Sequence, residues 1–246
     1  MVSFKTHRMS DNLKASLREV RAKGVKVFVC TGRSPLTFDP LESFPFDGYV
    51  SMNGALSVVG EEVVDSHPID RDLSMAVADF AMKEMIPCWV FSDKIAAMNV
   101  INGKALELSN LTKLLPETFV DLRDVAREDV VYEYSIFMSA GEIESRLAPL
   151  LPGAEFPRWN PYFCDIIMPG LSKAQGAAKV LERIGVAREE CMAFGDGGND
   201  TPVLEFAGIG VAMGNAGEDV KSKADYVTLT VDEDGIPAAL RHFGVL

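Results

Sequence analysis

The sequence has few cysteines and histidines, and it has no apolar run long enough to cross a membrane. Its four cysteines, Cys30, Cys88, Cys164 and Cys191, are scattered without a CxxC pair, which argues against a disulfide framework and indicates core thiols in a reducing compartment. No apolar run reaches the roughly 18 residues of a membrane helix. The first residues also lack the apolar core of a secretory signal. We therefore expect a cytoplasmic protein without a membrane partner.

Positive charge is in the minority as well. The 24 Lys and Arg residues are outnumbered by 36 Asp and Glu, which gives a formal net charge of −12. Such acidity disfavours nonspecific binding to nucleic acid, so we do not expect nucleic acid as a partner. An apolar fraction of 48% is enough for a sizeable core and too high for disorder. The sequence contains no P-loop, GxSxG or HExxH motif, which removes three familiar kinds of catalytic site.

The most informative segment is Phe194–Asp200, which reads F-G-D-G-G-N-D and overlaps the apolar run 191–194. A short apolar run bounded by glycines predicts a buried strand, so this turn lies at the strand's carboxyl end, where open α/β sheets bind ligands. Asp196 and Asp200 offer the oxygen ligands that Mg²⁺ prefers, and the glycines between them let the backbone approach an ion or a phosphate. A plain turn with an Asp N-cap is the weaker interpretation, because two acids, an asparagine and several glycines are concentrated here.

Three further polar segments follow predicted strands or begin a predicted helix. Thr31-Gly32-Arg33 follows the β-branched strand 25–30, where a hydroxyl, two backbone amides and a guanidinium could hold a phosphate oxygen. Ser172 caps a helix and puts Lys173 at its first position, where a cation costs roughly 0.3–1 kcal/mol unless an anion lies nearby. Asn53-Gly54 follows another strand. Read alone, each has a plainer interpretation: a turn with a surface arginine, a solvated lysine, or ordinary turn chemistry.

Short strands and helices alternate up to about residue 68 and again from about residue 169, which indicates parallel βαβ units. Residues 69–168 mix helical patterns with strands, and none of these strands ends in an acid-glycine turn. The simplest account is an α/β fold with a core domain of 1–68 plus 169–246 and an inserted α/β domain at 69–168.

Taken together, these segments resemble the haloacid dehalogenase superfamily of phosphatases, and most closely its Cof-type branch, subfamily IIB. That branch carries a mixed α/β cap between its second and third motifs, where the insert lies here. The resemblance spans nearly the whole chain, and its most specific part is the Asp196–Asp200 block. The matching segments are Thr31-Gly32-Arg33, Met52-Asn53-Gly54-Ala55, Lys173, Gly195–Asp200, Gly210–Ala216 and Asp232–Ile236.

The resemblance implies a fold and a role for each matching residue. The core would be Rossmann-like, a parallel sheet flanked by helices, and the cap would close over the site and select the leaving group. Thr31 would bind the transferring phosphoryl group, and Lys173 would neutralise its charge. Asp196 would bind Mg²⁺, and Asp200 would support the ion directly or through water. The residues implied in binding the substrate or its phosphate are Gly32, Arg33, Asn53, Gly54 and Asn199.

One part of the family pattern is missing from this sequence. The family begins with a strand ending in Asp-x-Asp-Gly-Thr, whose first Asp is the nucleophile and whose second is the general acid/base. Val2-Ser3-Phe4 resembles the residues that follow this motif, so the motif should end just before Met1, and no other acid lies in a position to replace it. We expect the chain as written to be inactive or nearly so, with two open edges in its core sheet. We favour an incomplete sequence or a start codon assigned too late over a natural truncation.

The resemblance predicts Mg²⁺-dependent hydrolysis of a small phosphate monoester, usually a phosphorylated sugar, through an aspartyl-phosphate that water then cleaves. Two alternatives stay open. A non-catalytic module that binds phosphorylated metabolites would show no Asp-x-Asp-Gly-Thr in frame upstream. A phosphomutase would release product isomers instead of free phosphate. The sequence does not reveal the ester or the oligomeric state.

Overall fold

The protein is described from a computed structural model. Phe4, on which part of the upstream likeness rests, lies outside the described residues. The structure describes residues 2–3, 5–6, 8–38, 41, 44–112, 116–158 and 161–246.

The chain divides into two compact units. The first unit contains Met1–Arg33, Phe38–Asp65 and Ser172–Leu246, and the second contains Ser34–Thr37 and Ser66–Leu171. The limits expected for the core and the inserted domain stay a proposal. No helix of the described residues combines the length and the apolarity needed to cross a membrane.

Serine side chains begin two of the main helices. The hydroxyl of Ser10 accepts a hydrogen bond from the Leu13 N–H, and that of Ser172 accepts one from the Gln175 N–H, so both satisfy a donor that the first turn leaves open. The Ser172 cap was predicted from the sequence. The helices are α1 (Asp11–Ala22), α2 (Arg71–Glu84), α3 (Gly103–Thr112), α4 (Leu122–Glu128), α5 (Ala140–Glu142), α6 (Lys173–Ile184), α7 (Thr201–Phe206), α8 (Glu218–Lys221) and α9 (Gly235–His242).

The strands form three sheets, one in the second unit and two in the first. Short runs rich in β-branched and aromatic residues form them, as the sequence patterns predict. The strands are β1 (Phe28–Cys30), β2 (Gly48–Ser51), β3 (Leu56–Val59), β4 (Glu62–Ser66), β5 (Cys88–Ser92), β6 (Ala96–Met98), β7 (Val131–Ile136), β8 (Cys164–Ile166), β9 (Met192–Gly195), β10 (Ile209–Ala212) and β11 (Tyr226–Val227).

The second unit is an antiparallel sheet, in the order β6-β5-β7-β8, with helices packed on it. Its core joins Val77 of α2 and Leu122 of α4 to Val90 and Tyr134 on the sheet. The Tyr134 hydroxyl lies 2.7 Å from the Ser74 hydroxyl, so this buried polar group is satisfied inside the core.

The first unit holds two sheets on a shared core. One has the order β1-β2-β3-β4, with β1 parallel to β2, and the other is the parallel sheet β11-β10-β9. Helix α1 buries Leu13 and Leu17 in a cluster that also contains Val29 of β1 and Leu240 of α9, with Phe194 of β9 packed against it. Helices α1 and α9 thus contribute to a core that both sheets share.

Strands β1 and β9 are less buried than the sequence predicted. Cys30, Cys191 and Phe194 are all only partly buried, whereas the apolar runs around them predicted fully buried strands. Within the described strands β1 pairs only with β2, and β9 pairs only with β10. Each is therefore an edge strand of its own sheet, which leaves its outer side open.

Candidate active site

The glycine-rich turn after β9 is closed by Asp200. One carboxylate oxygen, Oδ2, accepts hydrogen bonds from the backbone N–H groups of Asp196 (2.9 Å) and Gly197 (3.0 Å). A Cβ atom on Gly195 would lie 2.4 Å from the Asp200 Cβ, so only glycine at position 195 lets the Asp200 side chain fold back over the turn. The predicted turn at the carboxyl end of a strand is present, and Asp200 holds its shape.

Lys173 is the counterion of Asp200. It is the first residue of α6, and its Nζ lies 2.5 Å from Oδ1 of Asp200. Both side chains are almost fully buried. The sequence indicated an anion near this lysine, because a cation at the positive end of a helix is unfavourable, with a solvated lysine as the alternative. Asp200 supplies that anion from a segment 27 residues away.

Asp196 has a neutral partner. Its Oδ2 accepts a hydrogen bond of 2.8 Å from the Nδ2 of Asn215, whose own Oδ1 accepts one of 3.0 Å from the Val231 N–H. Asn215 follows the carboxyl end of β10, the strand beside β9. Reasoning from the sequence placed Asn215 within a segment of family likeness but gave it no role. The available signal was its place, since carboxyl ends of neighbouring parallel strands share one edge of a sheet.

Asn53 lies beside the same turn. It has left-handed backbone dihedrals, with φ of 55°, and its Oδ1 accepts a hydrogen bond of 3.0 Å from Nδ2 of Asn199. Because Asn53 follows β2 and Asn199 follows β9, this bond joins the two sheets of the first unit. A Cβ on Gly32 would lie 3.0 Å from Asn53 Oδ1, so the loop after β1 comes close here as well.

Gly54 fixes the distance between the loop after β2 and the start of α6. Its φ is +104°, and a Cβ at this position would lie 2.3 Å from the carbonyl oxygen of Ser172. The residue before Lys173 therefore rests directly on the Gly54 backbone, and a larger residue would push the two apart.

Thr31 and Arg33 are the least engaged of the predicted site residues. The Thr31 N–H donates to the Val50 carbonyl as part of the β1–β2 pairing, and its hydroxyl accepts a hydrogen bond of 3.1 Å from the Arg33 N–H. The Arg33 side chain is largely exposed, although desolvation by neighbouring groups lowers the pKa of its guanidinium. The structure thus brings together Gly32, Asn53, Gly54, Lys173, Asp196, Asn199 and Asp200, with Thr31 on a neighbouring strand end.

Cys30, the residue before Thr31, is not a candidate nucleophile. Desolvation by the surrounding protein raises the pKa of its thiol to about 12, although Lys173 acts to lower the pKa. Only a thiolate attacks efficiently, so this thiol is inert near neutral pH.

The donor set suits Mg²⁺ only in part. Within the described ranges no cluster of three or more His, Cys, Asp and Glu side chains could hold a metal ion. Asp200 is committed to Lys173 and to two backbone N–H groups, while Asp196 keeps an oxygen, Oδ1, that accepts no hydrogen bond from described groups. Mg²⁺ is commonly held by one or two carboxylates together with waters and substrate phosphates. The residues present therefore fit such an ion with Asp196 as its protein ligand.

Comparison with known sequences gives matches over nearly the whole chain. The family profile described as haloacid dehalogenase-like hydrolase matches residues 3–240. The 5-amino-6-(5-phospho-D-ribitylamino)uracil phosphatase YcsE of Bacillus subtilis (strain 168) is 30% identical over 243 residues, which are 96% of this chain and 88% of that protein.

Solved structures also match the whole chain. The HAD subclass IIB sugar phosphatase BT4131 matches with a TM-score of 0.88 and 36% identity, covering 100% of this chain and 95% of that one. BT1666 from Bacteroides thetaiotaomicron, described among the phosphatases of the same superfamily, matches with a TM-score of 0.88 and 32% identity, covering 100% of this chain and 91% of that one. The predicted α/β class, with a Rossmann-like core and an inserted cap, is confirmed.

Proposed function

Because the chain belongs to the haloacid dehalogenase-like hydrolase family, and is a phosphatase by resemblance, we propose that it serves Mg²⁺-dependent hydrolysis of small phosphate monoesters. One observation carries the proposal. The Lys173 ammonium, the Asp200 carboxylate and the backbone of Asp196 and Gly197 form a single hydrogen-bonded unit at the carboxyl end of β9. Such a unit fixes a positive charge, Lys173, beside the residue whose side chain is proposed to hold the metal, Asp196, and phosphoryl transfer depends on positive charges fixed in this way.

The chain's own residues would bind and orient the phosphoryl group. Lys173 would neutralise charge on its oxygens, and the Thr31 hydroxyl with the Gly32 backbone would donate hydrogen bonds to them. Asn53 and Asn199 would position the ester beside the turn. Asp196 would hold the Mg²⁺, with Asp200 acting through Lys173 and the turn and not as a ligand of its own. When bound, the ion supplies further positive charge at the phosphoryl oxygens.

The attacking group is proposed to lie outside these 246 residues. An aspartate of an Asp-x-Asp-Gly-Thr motif would attack the phosphorus, expel the alcohol and form an aspartyl-phosphate that water then hydrolyses. Two observations support this. The outer sides of β1 and β9 are both unpaired within the described strands. The thiol of Cys30, the residue before Thr31, is protonated near neutral pH because burial raises its pKa to about 12. We therefore propose that the 246-residue chain binds phosphate but does not hydrolyse phosphate esters.

The substrate class follows from the relatives. The name of YcsE describes the phosphate ester of a ribityl chain, and BT4131 is described as a sugar phosphatase. Both descriptions concern a phosphate carried on a hydroxylated carbon chain, so we propose a small phosphorylated sugar or polyol as the partner of this site. The cytoplasmic location stays a prediction from the sequence.

The test compares the printed chain with one extended at its amino terminus by an apolar strand ending in Asp-x-Asp-Gly-Thr. Both are assayed for free phosphate from an aryl phosphate and a panel of sugar phosphates, with and without Mg²⁺. We expect turnover only from the extended chain and only with Mg²⁺. The same extension with its first Asp replaced by Asn is the matched control and should be inactive.

Each other outcome has a definite meaning. Equal turnover by the printed chain would refute the proposed nucleophile. An extended chain that binds phosphate without hydrolysing any ester would favour the non-catalytic binding module. Isomerised sugar phosphate in place of free phosphate would favour a mutase.

A further inference from the structure

The two carboxylates of the turn have partners of different kinds. Asp200 faces a cation, Lys173, at 2.5 Å, whereas Asp196 faces a neutral amide, Asn215, at 2.8 Å. A carboxylate paired with an ammonium is largely neutralised towards a further cation, but one that accepts a single bond from an amide keeps its full charge. The difference leaves Asp196 as the carboxylate that can bind a divalent ion.

Asn215 can face Asp196 in one orientation only. Its Oδ1 accepts the hydrogen bond of the Val231 N–H, so the amide nitrogen must point the other way, towards Asp196. The backbone secures this placement, because the N–H of Gly214 donates to the Leu229 carbonyl at 3.0 Å. The loop that carries Asn215 is thus bound twice to the segment 229–231.

The geometry points to a role for Asn215 as a positioning residue for the metal-binding carboxylate, an inference that rests on the function proposed above. By occupying Oδ2 of Asp196, the amide holds the carboxylate in one rotamer and presents Oδ1 to the ion. Groups that orient metal ligands in this way typically contribute about 10–100-fold to metal affinity. Asn215 itself does not touch the ion or the substrate.

The first measurement is Mg²⁺ binding to the printed chain by titration calorimetry. We expect Asn215→Leu, which removes both hydrogen bonds at similar size, to weaken Mg²⁺ binding about tenfold or more. The urea midpoint measured without Mg²⁺ should move little, because Asn215 is exposed. Asn12→Leu is the matched control: Asn12 donates the same kind of bond, 2.9 Å, to the Asp234 carboxylate, and its loss should leave Mg²⁺ affinity unchanged.

The second measurement needs no metal. In NMR spectra of the metal-free chain, Asp196→Ala should shift the side-chain amide resonances of Asn215, because the bond between them is lost. A wild-type chain that binds Mg²⁺ while Asn215→Leu keeps the same affinity would overturn the inference and leave the proposed function intact. A wild-type chain that binds no Mg²⁺ would overturn the metal role in the proposed function, and unshifted Asn215 amide resonances would then overturn the positioning role as well.

Discussion

The Nζ atom of Lys173 lies 2.5 Å from Oδ1 of Asp200, and the two side chains are only 5% and 10% exposed. Burying two charges costs desolvation free energy, and their mutual attraction offsets this cost only while both partners are present. Asp200 also accepts two backbone N–H groups, so its charge is shared over the whole turn. The pair therefore holds α6 and the turn after β9 together.

Removing the cation should destabilise the fold strongly. Lys173→Met leaves the Asp200 carboxylate buried without its counterion, and we expect a loss of about 3–5 kcal/mol in the free energy of unfolding. The control is Lys179→Met on the same helix, where the Nζ contacts Glu182 at 3.0 Å in an exposed place, and a loss of at most about 1 kcal/mol is expected. Urea unfolding at pH 7 measures both, and equal midpoints for the two variants would contradict the prediction.

The sequence predicted which segments form this site better than it predicted the hydrogen bonds between their side chains. Strands followed by polar turns, and a lysine at a capped helix start, were enough to select Thr31, Asn53, Lys173 and Asp196 as candidate site residues, because ligands bind at the carboxyl ends of parallel strands. The partner of each side chain depends on rotamers and on distant loops. For that reason Asp200 was predicted as a possible metal ligand, although its oxygens are engaged by Lys173 and the backbone.

Short elements and strand burial were also hard to predict. Helix α4 has seven residues, too few to show a clear helical period. The sequence shows a helical pattern over 141–150, and within it residues 143–150 form a π-helical turn followed by a 3₁₀ turn. The exposure of Phe194 depends on which strands flank β9, and an apolar run alone does not carry that information.

Adding one methyl group at Gly54 should disturb the position of Lys173. Gly54→Ala places a Cβ 2.3 Å from the Ser172 carbonyl oxygen at a φ of +104°, so we expect a loss of about 2–4 kcal/mol from overlap and backbone strain together. Gly60→Ala is the control, because Gly60 also has a positive φ, +61°, but open space around it, and strain alone should cost about 1 kcal/mol. Thermal unfolding that shifts both variants equally would show that the contact with Ser172 is unimportant.

Gly195 should be equally intolerant of a side chain, for a different reason. Gly195→Ala puts a Cβ 2.4 Å from the Asp200 Cβ, which must swing away from Lys173 and from the turn. We expect a stability loss of about 1–3 kcal/mol together with weaker binding of inorganic phosphate. Gly198→Ala in the same turn meets no atom within 4 Å and should leave both quantities close to wild type. If calorimetry gave the same phosphate affinity for the two variants, close packing of Gly195 against Asp200 would not be required for binding.

The carboxylate of Asp47 should make the first unit sensitive to acid. Partial burial acts to raise its pKa, but hydrogen bonds from Arg21 and the Val27 N–H lower the pKa below its ordinary value. A group with a depressed folded-state pKa stabilises the fold above its unfolded pKa of about 3.9, and this contribution is lost as the pH falls through the folded value. In Asp47→Asn, the free energy of unfolding should therefore fall less between neutral and acid pH than it does in wild type. Parallel curves of unfolding free energy against pH for the two proteins would contradict this.

The bond between Asn53 and Asn199 can be tested separately from the backbone that carries it. Asn53 has a φ of 55°, a conformation that glycine adopts without strain, so Asn53→Gly removes the side chain while keeping the loop. Asn53→Ala removes the same bond but adds about 1 kcal/mol of left-handed strain. We expect both variants to lose phosphate affinity to a similar extent, about tenfold, since each leaves Asn199 unpositioned. Both lose the partly buried hydrogen bond, and Asn53→Ala should lower the urea midpoint further than Asn53→Gly because of the added strain. If Asn53→Gly bound phosphate as tightly as wild type, Asn53 would serve the turn alone, and the link between the two sheets would have no part in ligand binding.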